Sequence, residues 1–423
     1  MRLSDTPVTV ITPGTYQSGR KCGYCGRDDG SAIFGFSALS LTAADYQEFM
    51  DRGYRRSGTF MYKPDLLHSC CPQYAIRLRV SDYKPSKEHR QTINRFNRFV
   101  LGAEYEDALQ RYEKAQKPKD KTRKKNAEFD LLHAIHRAES ALLPPSLSHI
   151  PRAHDLSVRL VTPEYTDEKF ALYKHYQISC HHDAENEITS SGFVRFLCGK
   201  PFELASSAEE EGKKRLGLWH QMYYLDGKLI AMAVLDFLPN SISGVYFMWA
   251  EEYGKYSLGK LSACREAALA AEEGDEFYYM GLYIYSCQKM KYKAAFAPSE
   301  LLDPELYEYF RFDRFEPELE KCEYVTFSSD ADAVERARRR RVESEMAVDD
   351  EERDKTDEQD AHSSDDDDDD DDDMKTLFEA DMPGIPPLTQ IKTEIDLSKV
   401  QILVNHYVIT AKVRPLPYFS LTC

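Results

Sequence analysis

Four cysteines carry the clearest chemical signal in the chain. Cys22 and Cys25 stand in Cys22-Gly23-Tyr24-Cys25, and the adjacent pair Cys70 and Cys71 follows 44 residues later. Gly23 and Gly26 allow the tight turn that aims two thiolates at one ion, so the quartet predicts a metal centre. Four sulfur donors suit zinc and an iron-sulfur cluster alike. Neighbouring side chains usually diverge, so Cys70 and Cys71 can share an ion only on an unusual backbone, with Pro72 holding Cys71 extended. The competing chemistry is a metal-free redox pair at Cys22 and Cys25 beside two ordinary thiols. A shared centre is the stronger reading, because the surrounding segment has little apolar core with which to fold alone. His68 could replace one thiolate, but it reads better as a surface histidine.

Two further runs could meet a phosphate. The stretch 254–260, GKYSLGK, nearly matches a phosphate-binding loop between a strand and a helix. Leu261 stands where a hydroxyl must hold magnesium, and Lys255 and Tyr256 crowd the backbone, which argues against a nucleotide triphosphatase. The amides that open the following helix could still receive a phosphate or a developing negative charge. The aromatic run from Tyr278 ends in Lys289, Lys291 and Lys293 interleaved with Tyr292, offering charges to a phosphate backbone and a ring to an unpaired base. The alternative is a core strand with a solvated basic end.

The elements that position these groups divide the chain. Residues 1–85 form a small, loop-rich, cysteine-bearing domain with short β-like runs. In 86–152, Ile93, Phe96, Phe99 and Val100 recur at helical spacing with Arg90, Arg95 and Arg98 on other faces, predicting a basic amphipathic helix and then an exposed lysine-rich linker over 114–125. Residues 153–336 alternate strands and helices, with a hairpin at Asp226-Gly227 and a helix over 258–273, predicting a mixed, partly parallel sheet. The fold class is α+β. Residues 337–384 form an acidic insertion with nine consecutive aspartates at 365–373, expected to be disordered. Order resumes in 385–423, where 396–409 has a strand pattern that completes the second domain.

Composition narrows the function. A 42% hydrophobic content excludes a wholly disordered chain. The net charge of -17 arises from 342–373, where 19 acids face two bases, so the remainder is balanced and can carry separate basic surfaces. No apolar run approaches the ~20 residues of a membrane span, and the N-terminus lacks the apolar core of a secretory signal. Mostly scattered cysteines fit a reducing compartment, the cytoplasm or the nucleus.

The segments YQSGRKCGYCG (16–26), SGTFMYKPDLLHSCCPQYAIRL (57–78), FVRFLC (193–198), WHQMYYLDGKLIAMAVLDFLPNSISGVYF (219–247) and YYMGLYIYSCQKMKYKAAFAPSELL (278–302) resemble, in this order, the arginyltransferases that move arginine from arginyl-tRNA onto protein N-termini. The resemblance implies an N-terminal domain holding an iron-sulfur cluster or zinc through Cys22, Cys25, Cys70 and Cys71, and a C-terminal GNAT-type acyltransferase domain. It implies two partners, arginyl-tRNA and acceptor proteins beginning with Asp, Glu or oxidised Cys, which are thereby marked for ubiquitin-dependent degradation. The aminoacyl ester is already activated, so no nucleotide cofactor is expected, and the protein is expected to act as a monomer away from membranes. Arg55, Arg56, Tyr62 and Lys63 become candidates for the acidic acceptor, because a guanidinium pairs bidentately with a carboxylate. Asp236, which interrupts the most apolar strand, and the His220-Gln221 pair are the catalytic candidates. Lys289, Lys291 and Lys293, with Arg95 and Arg98 of the basic helix, are the tRNA contacts. After Tyr246 the chain departs from the family's aromatic-Asp-Pro run, so Glu251 or Glu252 must supply the missing carboxylate. A non-catalytic tRNA- or degron-binding regulator is the rival reading.

Overall fold

The computed structural model describes residues 9–12, 14–116, 129–200, 214–354, 382–385, 401–404 and 407–410. The basic run after residue 116 and the aspartate run 365–373 lie outside the described residues.

The N-terminal sheet contains β1 (Val10–Ile11), β2 (Thr15–Arg20), β3 (Ser31–Ser40), β4 (Arg55–Ser57) and β5 (Phe60–Pro64), with β3 central. Helix α1 (Ala43–Asp51) starts where the Thr42 hydroxyl accepts from the Asp45 amide, and its Tyr46 and Met50 pack with Phe36 and Met61.

Eight strands form the large sheet: β6 (Tyr74–Arg79), β7 (Leu156–Val161), β8 (Gly217–Leu225), β9 (Lys228–Phe237), β10 (Ser241–Trp249), β11 (Phe277–Tyr283), β12 (Ser299–Leu302) and β13 (Tyr309–Arg311). Their spatial order is β13-β12-β6-β11-β10-β9-β8-β7, and only β10 and β11 pair in parallel. The expected boundary at residue 85 therefore does not separate the sheets. Strand β6 comes from the first segment yet lies between β11 and β12, because Tyr74, Ala75, Ile76 and Leu78 are buried and need cover on both faces. The Asp226-Gly227 hairpin forms as expected, with positive φ at both residues (52° and 78°), the backbone of a type I′ turn.

Helices cover both faces of this sheet. On one lie α2 (Lys87–Leu101), α3 (Ala103–Gln116), α4 (Leu131–His136) and α7 (Leu258–Glu272); Ile93, Phe96 and Val100 of α2 join Trp219, Tyr223, Ala231, Ala233 and Leu235 in one core. On the other lie α5 (Asp167–Tyr176), α6 (Ser190–Phe193) and two π-helical turns, Gln177–His181 and Val194–Cys198, packed on Leu218, Met222, Met232 and Val234. Along β8, odd residues such as Trp219 and Tyr223 enter the first core and even ones such as Leu218 and Met222 the second.

Helix α8 (Phe312–Leu319) follows β13, and α9 (Ala331–Asp354) runs well into the stretch expected to be disordered. Arginine and glutamate are good helix formers, and Glu335 pairs with Arg338 and Arg339 one turn on. Strands β14 (Gln401–Val404) and β15 (Tyr407–Thr410) pair with each other; among the described residues they do not join the large sheet. No described helix is long and apolar enough to cross a membrane.

Candidate active site and metal centre

The four cysteines converge. Their sulfur atoms all lie within 4.8 Å of one another, with Cys25 and Cys70 at 3.3 Å. Four thiolates about 2.3 Å from one zinc stand roughly 3.8 Å apart, so the donor set fits a tetrahedral ion, and it fits a small cluster equally. The knuckle is built by backbone bonds: the Cys22 amide donates to the Arg27 carbonyl and the Gly26 amide returns to Cys22. Gly30 closes the cradle, since a Cβ there would stand 2.5 Å from the Cys70 sulfur. Cys70 bonds the Gly30 carbonyl through its amide, which lets the adjacent pair serve one centre. Burial raises the Cys70 and Cys71 thiols, while the Arg27 amide lowers that of Cys25. His68 turns away to Asp65, Nδ1 to carboxylate 2.7 Å.

Behind the cluster, Cys22 and Cys71 pack on Ile284 with Cys287 and Met290, at the end of β11 and the start of a 3-10 helix, Gln288–Ala295. This helix carries the three expected tRNA lysines. Lys289 and Lys291 are exposed, whereas Lys293 turns inward and donates to the Leu282 carbonyl at 2.7 Å. Burial, and then Arg55, lower Lys293 to about 8. Arg95 and Arg98 lie exposed on α2, and Arg95 reaches the Ser257 hydroxyl at the start of α7.

Strands β10 and β11 pair only over Ser241–Ser243 and Phe277–Tyr279, then part. Each is irregular at that level: β10 bulges between Gly244 and Tyr246, and β11 slips between Tyr279 and Leu282, with Gly281 at φ 73°. The 3-10 helix packs beside this opening: the Lys293 ammonium would lie 3.9 Å from a Cβ on Gly281, and Lys289 is near enough to His181 to help lower its imidazole, after burial. Against the inner wall of the opening sits Glu266 of α7, buried, accepting from the Ser262 hydroxyl at 2.5 Å and the Tyr278 hydroxyl at 2.6 Å. A Cβ on Gly244 would come 2.8 Å from this carboxylate. Burial raises Glu266 to about 7. Outside the wall, the Tyr246 hydroxyl donates to Gln177 at 2.7 Å, and Gln177 in turn donates to Asp183 at 2.8 Å.

Several expected residues are engaged within the protein. Asp236 is wholly buried and accepts two bonds of 2.7 Å from Arg56 and one of 2.8 Å from Tyr46, so it ties β4 and α1 to the large sheet. Arg56 is consumed by that pair. Arg55 is spent on the carbonyls of Tyr54, Met50 and Gly281. Lys63 is buried against the Tyr307 ring in a void of about 20 Å³, and burial lowers it to about 7. Tyr62 is half-buried and stacks on Phe60. His220 and Gln221 point to opposite faces of β8: His220 donates to the Leu197 carbonyl and is lowered to about 3 by burial, while Gln221 accepts from Tyr223 in the other core. They cannot act as a pair. Glu252 faces solvent and pairs with Lys228 at the hairpin, and Glu251 is exposed beside it; the carboxylate linked to Tyr246 is instead Asp183. Sequence reasoning missed Glu266, Gln177, Asp183 and Arg195. Only Arg195 had a signal, its place in the 193–198 motif.

The chain is thus a mixed α+β protein with a four-thiolate cluster beside a lysine-bearing 3-10 helix and a parted parallel pair. The family model described as arginine-tRNA-protein transferase, N terminus, matches residues 20–91, and that of the C terminus matches 168–303. The chain is 27% identical to arginyl-tRNA–protein transferase 1 of Arabidopsis thaliana over 73% of its own length and 74% of that protein. It is 34% identical to the Saccharomyces cerevisiae protein of the same name over 62% of this chain and 50% of the other. It is also 25% identical to an aspartate/glutamate leucyltransferase of Pseudomonas fluorescens, over 66% and 89%. The chain belongs to the arginyl-tRNA–protein transferase family, and so to the aminoacyltransferases.

Proposed function

We propose that this chain transfers arginine from arginyl-tRNA to the N-terminal α-amine of proteins beginning with Asp, Glu or oxidised Cys, creating a signal for ubiquitin-dependent degradation. The observation that carries this reading is the match of both family models, joined to the parting of β10 and β11 beside the 3-10 helix that bears Lys289 and Lys291. Four antiparallel strands, β7 to β10, followed by a helix and a parallel β11, support the GNAT-type arrangement. The name of the Pseudomonas relative, coupling aspartate and glutamate with leucyl transfer, supports acidic acceptors. Nine free cysteines among the described residues support a reducing compartment, cytoplasmic or nuclear.

In the reaction the acceptor amine attacks the arginyl ester carbonyl. The ammonium first gives one proton to solvent; the amide C–N bond then forms as the ester C–O bond breaks, and a second proton lost by the nitrogen balances the one the ribose oxygen takes up. An α-amine titrates near pH 8, so a fraction on the order of one tenth is already neutral at pH 7, and placement supplies much of the rate. Lys289 and Lys291 fit the acceptor-stem phosphates, and the parted strands fit the aminoacyl end. Zinc or a cluster held by Cys22, Cys25, Cys70 and Cys71 would supply a cross-link that organises the fold.

The test is transfer of labelled arginine from arginyl-tRNA to peptides beginning with Asp, Glu, Gly or Lys, using protein purified without oxygen. Labelling of the acidic peptides alone is the expected result. Absence of labelling with tRNA and peptide still bound would establish a non-catalytic binder instead.

A further inference from the structure

We infer that the cleft between the N-terminal sheet and the two π-helical turns receives the acceptor's first residue, with Arg195 pairing its side-chain carboxylate and Asp183 and Glu187 holding its α-ammonium. The inference rests on the arginyl-transfer reading and gives that reaction its second substrate site. The cleft encloses about 590 Å³, room for the first residue or two of a peptide. One wall is β3 to β5, including Phe60. The other is α5, the two π turns and the segment between them, with Gln177, Arg195 and Phe196 on the π turns and Asp183 and Glu187 on the loop and 3-10 turn that follow the first. π turns inside helices tend to mark functional sites, and both of these border the same cavity.

The charges match the ligand. A peptide beginning with Asp carries a cation and an anion a few bonds apart, and the cleft lining offers one guanidinium and two carboxylates. Arg55 and Arg56 are buried and fully engaged, whereas Arg195 is exposed and makes no ion pair or side-chain hydrogen bond among the described residues. Glu187 is likewise unpaired among them. The backbone beneath Arg195 is held in place, because Gly58 (φ 61°) packs so tightly that a Cβ there would stand 2.2 Å from the Arg195 carbonyl oxygen. The cleft also adjoins the parted strands. Gln177 bonds both Asp183 in the cleft and Tyr246 at the bulge, and the Phe196 ring meets the Tyr246 ring edge-on at 5.2 Å. An ammonium at Asp183 is therefore two hydrogen bonds from the mouth where the ester is placed. An N-terminal Asn would leave Arg195 without its anion, and the sulfonate of oxidised Cys would satisfy it.

The experiment uses the full chain, fluorescence anisotropy with labelled peptides beginning with Asp or Asn, and transfer kinetics. The unchanged protein should prefer Asp over Asn by about tenfold or more, and Arg195→Gln should collapse that ratio to within about twofold while the KM for arginyl-tRNA stays fixed. Glu187→Gln should weaken binding of both free-amine peptides and leave that of their Nα-acetylated forms unaltered. An Arg195→Gln protein that keeps the Asp/Asn ratio, or whose defect lies in the KM for arginyl-tRNA, overturns the assignment. If the unchanged protein binds the Asp peptide through Arg195 yet transfers nothing, the transfer reading fails and the acceptor site stands. Transfer whose Asp/Asn ratio ignores Arg195 has the opposite meaning.

Discussion

Glu266 is buried, and the two hydroxyls of Ser262 and Tyr278 are its hydrogen-bond donors there. Burial dominates and raises the group to about 7, against the lowering pull of those two hydroxyls and then of Lys293. Below its ordinary value near 4.5 the carboxyl is protonated in both folded and unfolded chains, and no stability depends on it. Between 4.5 and 7 the unfolded chain releases the proton while the folded one keeps it, so stability falls as pH rises. Glu266→Gln removes that titration. Its stability relative to the unchanged protein should climb between pH 5 and 8 by an amount on the order of 2 kcal/mol, read from urea midpoints at each pH. A difference that is flat with pH would mean that Glu266 is ionised throughout. Sequence alone gave no reason to single out Glu266, because a glutamate in an alanine-rich helix reads as a solvated face. Asp236 was legible as an anomaly in an apolar strand, but its partner Arg56 stands 180 residues away, and pairing at that distance leaves no local trace.

At the scale of elements, local chemistry was readable and pairing across the chain was not. The Asp-Gly turn, the amphipathic face of α2 and the helix after 258 follow from two or three residues each, and they form as expected. The placing of β6 between β11 and β12 depends on strands some two hundred residues later, so the first segment looked like a separate domain. The family resemblance pairs His220 with Gln221, yet a pleated strand sends neighbours to opposite cores. The junction between the N-terminal sheet and the second π turn is another such contact, and it rests on Gly58. Gly58→Ala would force a side chain into a left-handed backbone conformation and against the Arg195 carbonyl. The expected cost is about 2 kcal/mol or more, with weaker binding of the Asp peptide as the cleft wall shifts. Denaturation midpoints and anisotropy measure the two effects. A fully stable Gly58→Ala protein with unaltered peptide affinity would show that the junction does not shape the cleft.

For the whole molecule, the cysteine cluster stands between the two sheets and touches the machinery on both sides. It anchors the N-terminal knuckle, and through Ile284, Cys287 and Met290 it supports the helix on which Lys289 and Lys291 ride. Arg340 of α9 adds a bond to the Ser69 carbonyl, next to Cys70, so the first turns of that helix lean on the same place. Cross-linking four thiolates through one ion should therefore stiffen the lysine-bearing helix while leaving the peptide cleft, whose charged wall comes from residues 183–195, largely alone. Removing the ion with a chelator, or replacing Cys70 with Ser, should raise the Kd for arginyl-tRNA by about tenfold, equivalent to roughly 1.4 kcal/mol. Binding of the Asp peptide should change by less than about twofold, since additivity holds for sites without shared partners. Metal analysis confirms the loss, circular dichroism confirms that the chain remains folded, and anisotropy reads both ligands. Equal loss of tRNA and peptide binding would mean that the cluster holds the whole fold together rather than the lysine helix in particular. An unchanged tRNA affinity in folded, metal-free protein would remove the cluster from substrate recognition altogether.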